Sequence, residues 1–302
     1  MKVLVCDPIA EGAIKKMEEN GHEVTVKTGM SVEELNAEIP AFEAMIVRSA
    51  TKVRQPTIDL AENLKLIMRG GVGIDNIDHE YAREKNILVW NTPAASSSAV
   101  AELAIAHMFA VNRHLHRADT STKAGKWEKK KFKGVELGGK ILGVIGLGRI
   151  GTEVAKRAKG LGMHTFGYDP FVEECDYCRM VSLDKLLADS DYITLHLPHT
   201  KETHHLISTP EFAKMKEGVT LINCARGGVV NEDALAEALE KGIVARAAVD
   251  VYEEEPLKKD HPLTKFDNVL LTPHIGASTV EAQDRIGYEL VDKLEKFSKG
   301  QY

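Results

Sequence analysis

Cysteine is scarce in this chain, with four among 302 residues, at positions 6, 175, 178 and 224. That is too few for a disulfide framework and suits a reducing cytosol. Long apolar runs are missing too: none approaches the roughly 18 residues of a membrane span. The opening MKVLVCDPIA breaks its short apolar run at Cys6 and Asp7, without the h-region of an export signal. A cytoplasmic protein with no membrane partner is expected. There is no excess of basic charge, since 39 Lys and Arg face 45 Asp and Glu for a net charge of −6. This argues against a general nucleic-acid surface. Low-complexity tracts and short-period repeats are likewise lacking.

What the chain does have is apolar material for two cores: 43% apolar and 28% charged residues at roughly 150 residues per domain. Strand-like runs at 3–6, 24–26, 45–47, 64–68 and 87–90 alternate with helical segments such as 9–20 and 80–85. The alternation predicts a parallel sheet. One long helix is expected over 96–117, followed by a polar, basic loop carrying Lys126, Lys129, Lys130, Lys131 and Lys133. Trp127 and Phe132 would anchor it, and it is read either as solvated or as anion-facing. A second series follows, with strands near 141–146, 165–169, 192–197, 220–224, 247–251 and 269–272. These six predict a doubly wound nucleotide domain.

The segment KILGVIGLGRIG at 140–151 runs from strand to turn to helix, with glycines at 146, 148 and 151. Gly146 permits the turn, Gly148 admits a diphosphate, and Gly151 lets the helix approach the strand with its N–H groups facing the anion. Asp169, 23 residues beyond Gly146 (169 − 146), stands near the ~20-residue spacing at which an acid meets the ribose hydroxyls. The cofactor read from this pattern is NAD rather than NADP.

Ligands of open α/β sheets bind beyond the carboxyl ends of the strands. The polar residues there are Asp169, His196, Arg226, Asp250 and His274. Arg226 presents a planar fork suited to a carboxylate, the alternative being a surface ion pair. In the acidic run at 253–255, two glutamates read as solvated, and Glu255, before Pro256, as held in extended backbone. His274 carries the one side chain whose proton affinity suits acid–base work near neutrality. Cys175 and Cys178 lack a second pair at metal spacing, and no metal is expected. His204 and His205 read as exposed loop residues with no role. Cys224, beside Arg226, suggests that oxidation could obstruct the cofactor.

GLGRIG, Asp169, NCARGG, DVYEEEP and PHIG in that order resemble the D-2-hydroxyacid dehydrogenase family. VRSATKV at 47–53, MRGGVGIDNID at 68–78 and NTPAASSSAVAEL at 91–103 are most similar to its phosphoglycerate dehydrogenase branch. The resemblance implies two doubly wound domains: a flavodoxin-like substrate domain of residues 1–92 with 283–302, and a Rossmann NAD-binding domain of 93–282. It implies Arg226 as carboxylate clamp, His274 as acid–base group and Glu255 as its partner. It places Arg149 and Ile150 on the diphosphate, Leu197 and Pro198 near the adenosine, and Cys224, Ala225, Asp250 and Gly276 around the nicotinamide. Gly71 and Val72 would hold the substrate carboxylate through their N–H groups, with Ser49 beside them and Arg48, Lys52, Arg69 and Lys129 as candidates for a phosphate.

The activity so implied is NAD-dependent oxidation of D-3-phosphoglycerate in a homodimer joined through the nucleotide domains, including 96–125. A glyoxylate or hydroxypyruvate reductase is the alternative, and an NAD-sensing corepressor a more distant one. Ser96 and Ala99 depart from the residues of many relatives, which bears on local loop contacts. The chain stops at Tyr302, so a short form without a serine-sensing regulatory domain is expected.

Overall fold

A computed structural model describes residues 1–301. The chain forms two compact units, Met1–Ser96 with Ala277–Tyr302, and Ser97–Gly276. The boundaries fall four residues after the expected 92 and six before the expected 282 (96 − 92; 282 − 276). The Gln283 side chain donates to the Ala277 carbonyl at 2.7 Å, tying that stretch to the first unit.

In the first unit the strands are β1 (Lys2–Val5), β2 (Glu23–Val26), β3 (Ala44–Val47), β4 (Leu66–Arg69) and β5 (Leu88–Asn91). Helices α1 (Glu11–Glu19), α2 (Val32–Glu38), α3 (Gln55–Asp59) and α4 (His79–Glu84) connect them. All pairs are parallel, in the order β2-β1-β3-β4-β5, which is the flavodoxin-like order. The AMIV run of β3 is buried throughout, as a strand covered on both faces must be. Alternation splits β1 between two cores, Leu4 on one face and Val3 with Val5 on the other.

The second unit holds α5 (Ser97–Asn112), α6 (Leu115–Lys123), β6 (Ile141–Ile145), α7 (Arg149–Gly160), β7 (His164–Tyr168), β8 (Arg179–Met180) and α8 (Leu183–Asp189). It continues through β9 (Tyr192–Leu195), α9 (Thr209–Phe212), β10 (Val219–Asn223), α10 (Glu232–Glu240), β11 (Val244–Val249) and β12 (Val269–Leu271). The last helix, α11 (Val280–Ser298), belongs to the first unit, where Ile286, Leu290 and Leu294 are buried with Val3, Val5 and Met17. Burying each such side chain is worth ~1.5–3 kcal/mol.

The second sheet runs β12-β11-β10-β9-β6-β7-β8, and every pair is parallel. It has seven strands where six were expected. The addition is β8, two residues long at the sheet edge, too short for an apolar pattern. Read from β8, the first six strands follow the 3-2-1-4-5-6 order of a dinucleotide fold. The direction reverses between β6 and β9, so a ligand crevice opens above those two strand ends.

The single helix expected over 96–117 is two helices. His114 takes a left-handed φ of 53°, and the Asn112 carbonyl accepts from Val135 N–H at 3.3 Å instead of continuing the helical ladder. The basic loop is partly helical as well: α6 occupies its start, and Lys129–Phe132 form a 3-10 turn. Trp127 is 87% exposed, so it anchors nothing. Phe132 is half-buried against His114. Among the described residues no helix is long and apolar enough to cross a membrane, and no group of three or more His, Cys, Asp or Glu could hold a metal.

Candidate active site

The crevice at the sheet reversal is shaped by glycine. Gly146 has φ 91°, and a side chain there would meet the His196 carbonyl at 2.5 Å, so only glycine lets the turns after β6 and β9 touch. A Cβ on Gly151 would collide with the Gly146 carbonyl, which sets α7 directly against the turn. Gly148 is the N-cap of α7 with no side-chain cap, and nothing lies within 4 Å of where its Cβ would be. The helix therefore offers open N–H groups to an anion. Arg149 and Ile150 are its first residues, Arg149 exposed. Asp169, just past β7, accepts from Leu147 N–H at 2.8 Å and Phe171 N–H at 2.9 Å. Its carboxylate is thus oriented at the turn, with lone pairs remaining for hydroxyls. These residues fit a dinucleotide. Leu197, half-buried, and Pro198, exposed, follow β9 on the other side.

Three further strand ends carry the candidate catalytic groups. At the end of β10, the buried Asn223 side chain accepts from Ala225 N–H at 3.1 Å and donates to the Arg226 carbonyl at 3.3 Å. This local turn presents Arg226, whose Nη1 donates to the Ala225 carbonyl at 2.7 Å. A Cβ on Gly227 would collide with the Tyr252 carbonyl, so glycine lets the Arg226 turn approach the segment after β11. There, Tyr252 N–H donates to Glu255 Oε1 at 3.1 Å, and the Tyr252 hydroxyl lies 2.9 Å from the Thr272 carbonyl beyond β12.

The Glu255 carboxylate meets His274 Nδ1, with Oε2 at 2.8 Å and Oε1 at 3.1 Å. Burial raises the proton affinity of Glu255, but His274, the Tyr252 N–H and the charge of Arg226 outweigh it and hold the carboxyl below its usual range. Engaging Nδ1 leaves Nε2 of His274 as the nitrogen able to face a substrate. His274 itself has a left-handed φ of 53°, costly for a residue with a side chain unless its surroundings enforce it. Asp250, 1% exposed, supplies that enforcement by accepting from Ile275 N–H and Gly276 N–H at 2.9 Å each.

Other expectations are altered here. His196 hydrogen-bonds Thr194 Oγ1 at 2.8 Å, and burial holds its pKa down to about 3, which keeps it neutral. Cys224 is buried and its thiol pushed well up, first by burial and then by Asp250. That disfavours the thiolate that oxidation requires. Glu253 is not simply solvated: it bonds His205 Nε2 at 3.0 Å, and His204 stacks on His205 with ring centroids 3.9 Å apart. Glu254 pairs with Lys258 at the surface. Burial raises the Cys178 thiol to about 12, with Cys175 adding to the rise, and all four cysteines are free.

In the first unit, β3 and β4 end at the remaining candidates. Arg48 N–H donates to Asp7, and its guanidinium is engaged by Gln283 of α11, so Arg48 is held within its own unit. Ser49 and Lys52 are exposed. Arg69 lies over Gly71, whose φ is 146° and where any Cβ would collide with the guanidinium; Val72 follows, its carbonyl accepting from Asn91. Lys129 is exposed on the second unit. Sequence reasoning missed Asn223, Gly227, Tyr252 and Thr272. The available signal was their place within four residues of a strand end.

The family model for the NAD-binding domain of D-isomer-specific 2-hydroxyacid dehydrogenases matches residues 105–276, more than half of the chain. D-3-phosphoglycerate dehydrogenase of Archaeoglobus fulgidus is 54% identical over 99% of this chain, which spans 58% of that relative's length. Hydroxypyruvate reductase of Thermotoga maritima is 48% identical, with 98% of this chain and 97% of the relative covered. Among solved structures, NAD-dependent formate dehydrogenase of Staphylococcus aureus in complex with NAD superposes with a TM-score of 0.90 at 31% identity, covering 100% of this chain and 97% of that one.

Proposed function

The chain belongs to the D-isomer-specific 2-hydroxyacid dehydrogenase family, and on that premise we propose that it oxidises D-3-phosphoglycerate to 3-phosphohydroxypyruvate with NAD. That reaction opens serine biosynthesis. The observation that carries the reaction type is the His274–Glu255 pair beside Arg226. Gly146, Gly148, Arg149 and Asp169 would hold NAD, which would supply the hydride acceptor. Arg226 holds the substrate carboxylate in its fork, which fixes the face of C2 that is presented. As the hydride leaves C2, His274 Nε2 takes the hydroxyl proton, and Glu255 stabilises the imidazolium that results. In the reverse direction the same proton returns to the carbonyl oxygen.

For the phosphate, the candidates are Arg69 and, with exposed ammonium groups, Lys52 and Lys129. Arg48 is the least supported, because Gln283 already occupies it. Gly71 and Val72 N–H groups are assigned to the substrate carboxylate. A second reading, hydroxypyruvate reductase, rests on the Thermotoga relative, which is 48% identical to this chain.

Rates with 3-phosphohydroxypyruvate, hydroxypyruvate and glyoxylate, each with NADH and NADPH, separate the readings. The expected result is the highest kcat/KM for the phosphorylated acid with NADH. Preference for hydroxypyruvate would overturn the substrate while keeping the reaction, and preference for NADPH would remove Asp169 from its role.

We assign the protein to the cytoplasm, where its four free thiols are stable, and to a homodimer joined through the nucleotide domains, with the segment 96–125 taking part. Phe109 and Leu115 there are 38% and 53% exposed, and a second copy packed on this segment would cover them. Light scattering is expected to give twice the chain mass. A monomeric mass at assay concentration would remove the dimer.

A further inference from the structure

We propose that His107 is a positioning residue for the acid–base step, the middle link of a buried hydrogen-bonded strut running beneath the ends of β10, β11 and β12. The proposal rests on the reading of His274 as the acid–base group. Its observations are the contacts of a side chain that the glycine turn, the clamp and the proton transfer do not use. His107 lies on α5, 2% exposed. Its Nε2 is 3.3 Å from Thr272 Oγ1, and its Nδ1 is 3.5 Å from Cys224 Sγ.

The direction of every link follows from the Asp250 carboxylate, which has only acceptors. Thr272 Oγ1, 2.6 Å from Asp250 Oδ1, must donate its proton there. That oxygen is then left to accept, so His107 carries its proton on Nε2. Nδ1 is consequently an acceptor, and the Cys224 thiol donates to it. Burial pushes the proton affinity of His107 below its ordinary value, against a smaller opposing pull from Asp250, and so favours the neutral ring that this chain of bonds requires.

Geometry gives the strut its purpose. Arg226 follows β10, and His274 follows β12, with β11 between them in the sheet. Cys224 sits two residues before the clamp and Thr272 two before the acid–base histidine. The strut spans these strand ends from below and terminates on Asp250, which bonds the two N–H groups immediately after His274. It therefore fixes the left-handed turn that aims the imidazole. The two links made by His107 are longer than the 2.6 and 2.9 Å bonds that end on Asp250, so losing them is expected to loosen the turn rather than unfold the unit.

The test uses His107→Met, which keeps the volume and removes both bonds, and His107→Gln, whose amide N–H can still reach Thr272. In H107M the amides of Ile275 and Gly276 are expected to exchange with deuterium at least about tenfold faster, and kcat to fall about tenfold while KM stays within about twofold. H107Q is expected to restore both. A purely structural role for His107 would lower stability and leave the kcat-to-KM split and the local exchange unchanged, and that result overturns the strut. Should H107M fail to fold, Thr272→Val removes the same link and is read identically. The two readings fail separately. If His274→Asn retains turnover, the active-site reading falls while the exchange data still judge the strut; if it does not and H107M behaves as wild type, only the strut falls.

Discussion

Replacing His274 with asparagine is expected to lower kcat by roughly 10²–10⁴-fold, the usual worth of a positioned acid–base group, while NADH binding stays nearly unchanged. Asparagine is the informative choice for two reasons. It tolerates the left-handed backbone that residue 274 adopts, with φ 53°. Its amide N–H also falls near the place of Nδ1, so the Glu255 carboxylate keeps a donor at the position where it now meets His274 at 2.8 Å. What disappears is the group at Nε2. A loss confined to kcat, with NADH affinity intact by fluorescence titration, separates proton transfer from cofactor binding. Turnover within a few-fold of wild type would remove His274 from its role.

Arg226→Gln carries the second large effect, an expected fall in kcat/KM of roughly 10²–10³-fold. In the proposed clamp, two charge-assisted hydrogen bonds to the substrate carboxylate would be lost together, at about 1.5–3 kcal/mol each before compensation. The carboxylate is held both before and during hydride transfer, so most of the loss is expected in KM. Part should appear in kcat, since the charge of Arg226 also helps to hold Glu255 ionised. Arg226→Lys sharpens the test by keeping the charge and removing the fork. Its expected recovery is partial. An unchanged KM for the 2-keto acid in Arg226→Gln would mean the guanidinium serves the turn, where it already bonds the Ala225 carbonyl, and not the substrate.

Both variants concern residues legible in the sequence, because strand ends of a parallel sheet are readable from apolar runs and the polar residues that follow them. The glycine turn was legible for the same reason: each glycine answers a local steric demand. What escaped was set by neighbours distant in sequence. The break at His114 has no proline or glycine to announce it, and its cause is Val135 taking the Asn112 carbonyl. Strand β8 is only two residues long and owes its existence to pairing with β7. Trp127, an apparent anchor by composition, is exposed. Asn223, Tyr252 and Thr272 acquire their roles from which strand lies beside which, and that order is invisible in a one-dimensional pattern. Cys224 suggested reactivity by adjacency to Arg226, whereas its burial argues for a protonated thiol.

The interrupted make-up of the first unit carries a consequence for synthesis. The second unit is one continuous stretch, Ser97–Gly276, with its sheet and both of its cores contained in it. The first unit buries Val3, Val5, Met17 and Ile46 against Ile286, Leu290 and Leu294 of α11, residues made more than two hundred positions later. At about 5–20 residues per second on the ribosome, the earliest strands must wait at least about ten seconds for the helix that covers them, while the later-made unit has all its parts first. Residues 1–96 are thus the portion of the nascent chain whose apolar face stays uncovered longest, and the portion for which a holding chaperone has the most to do.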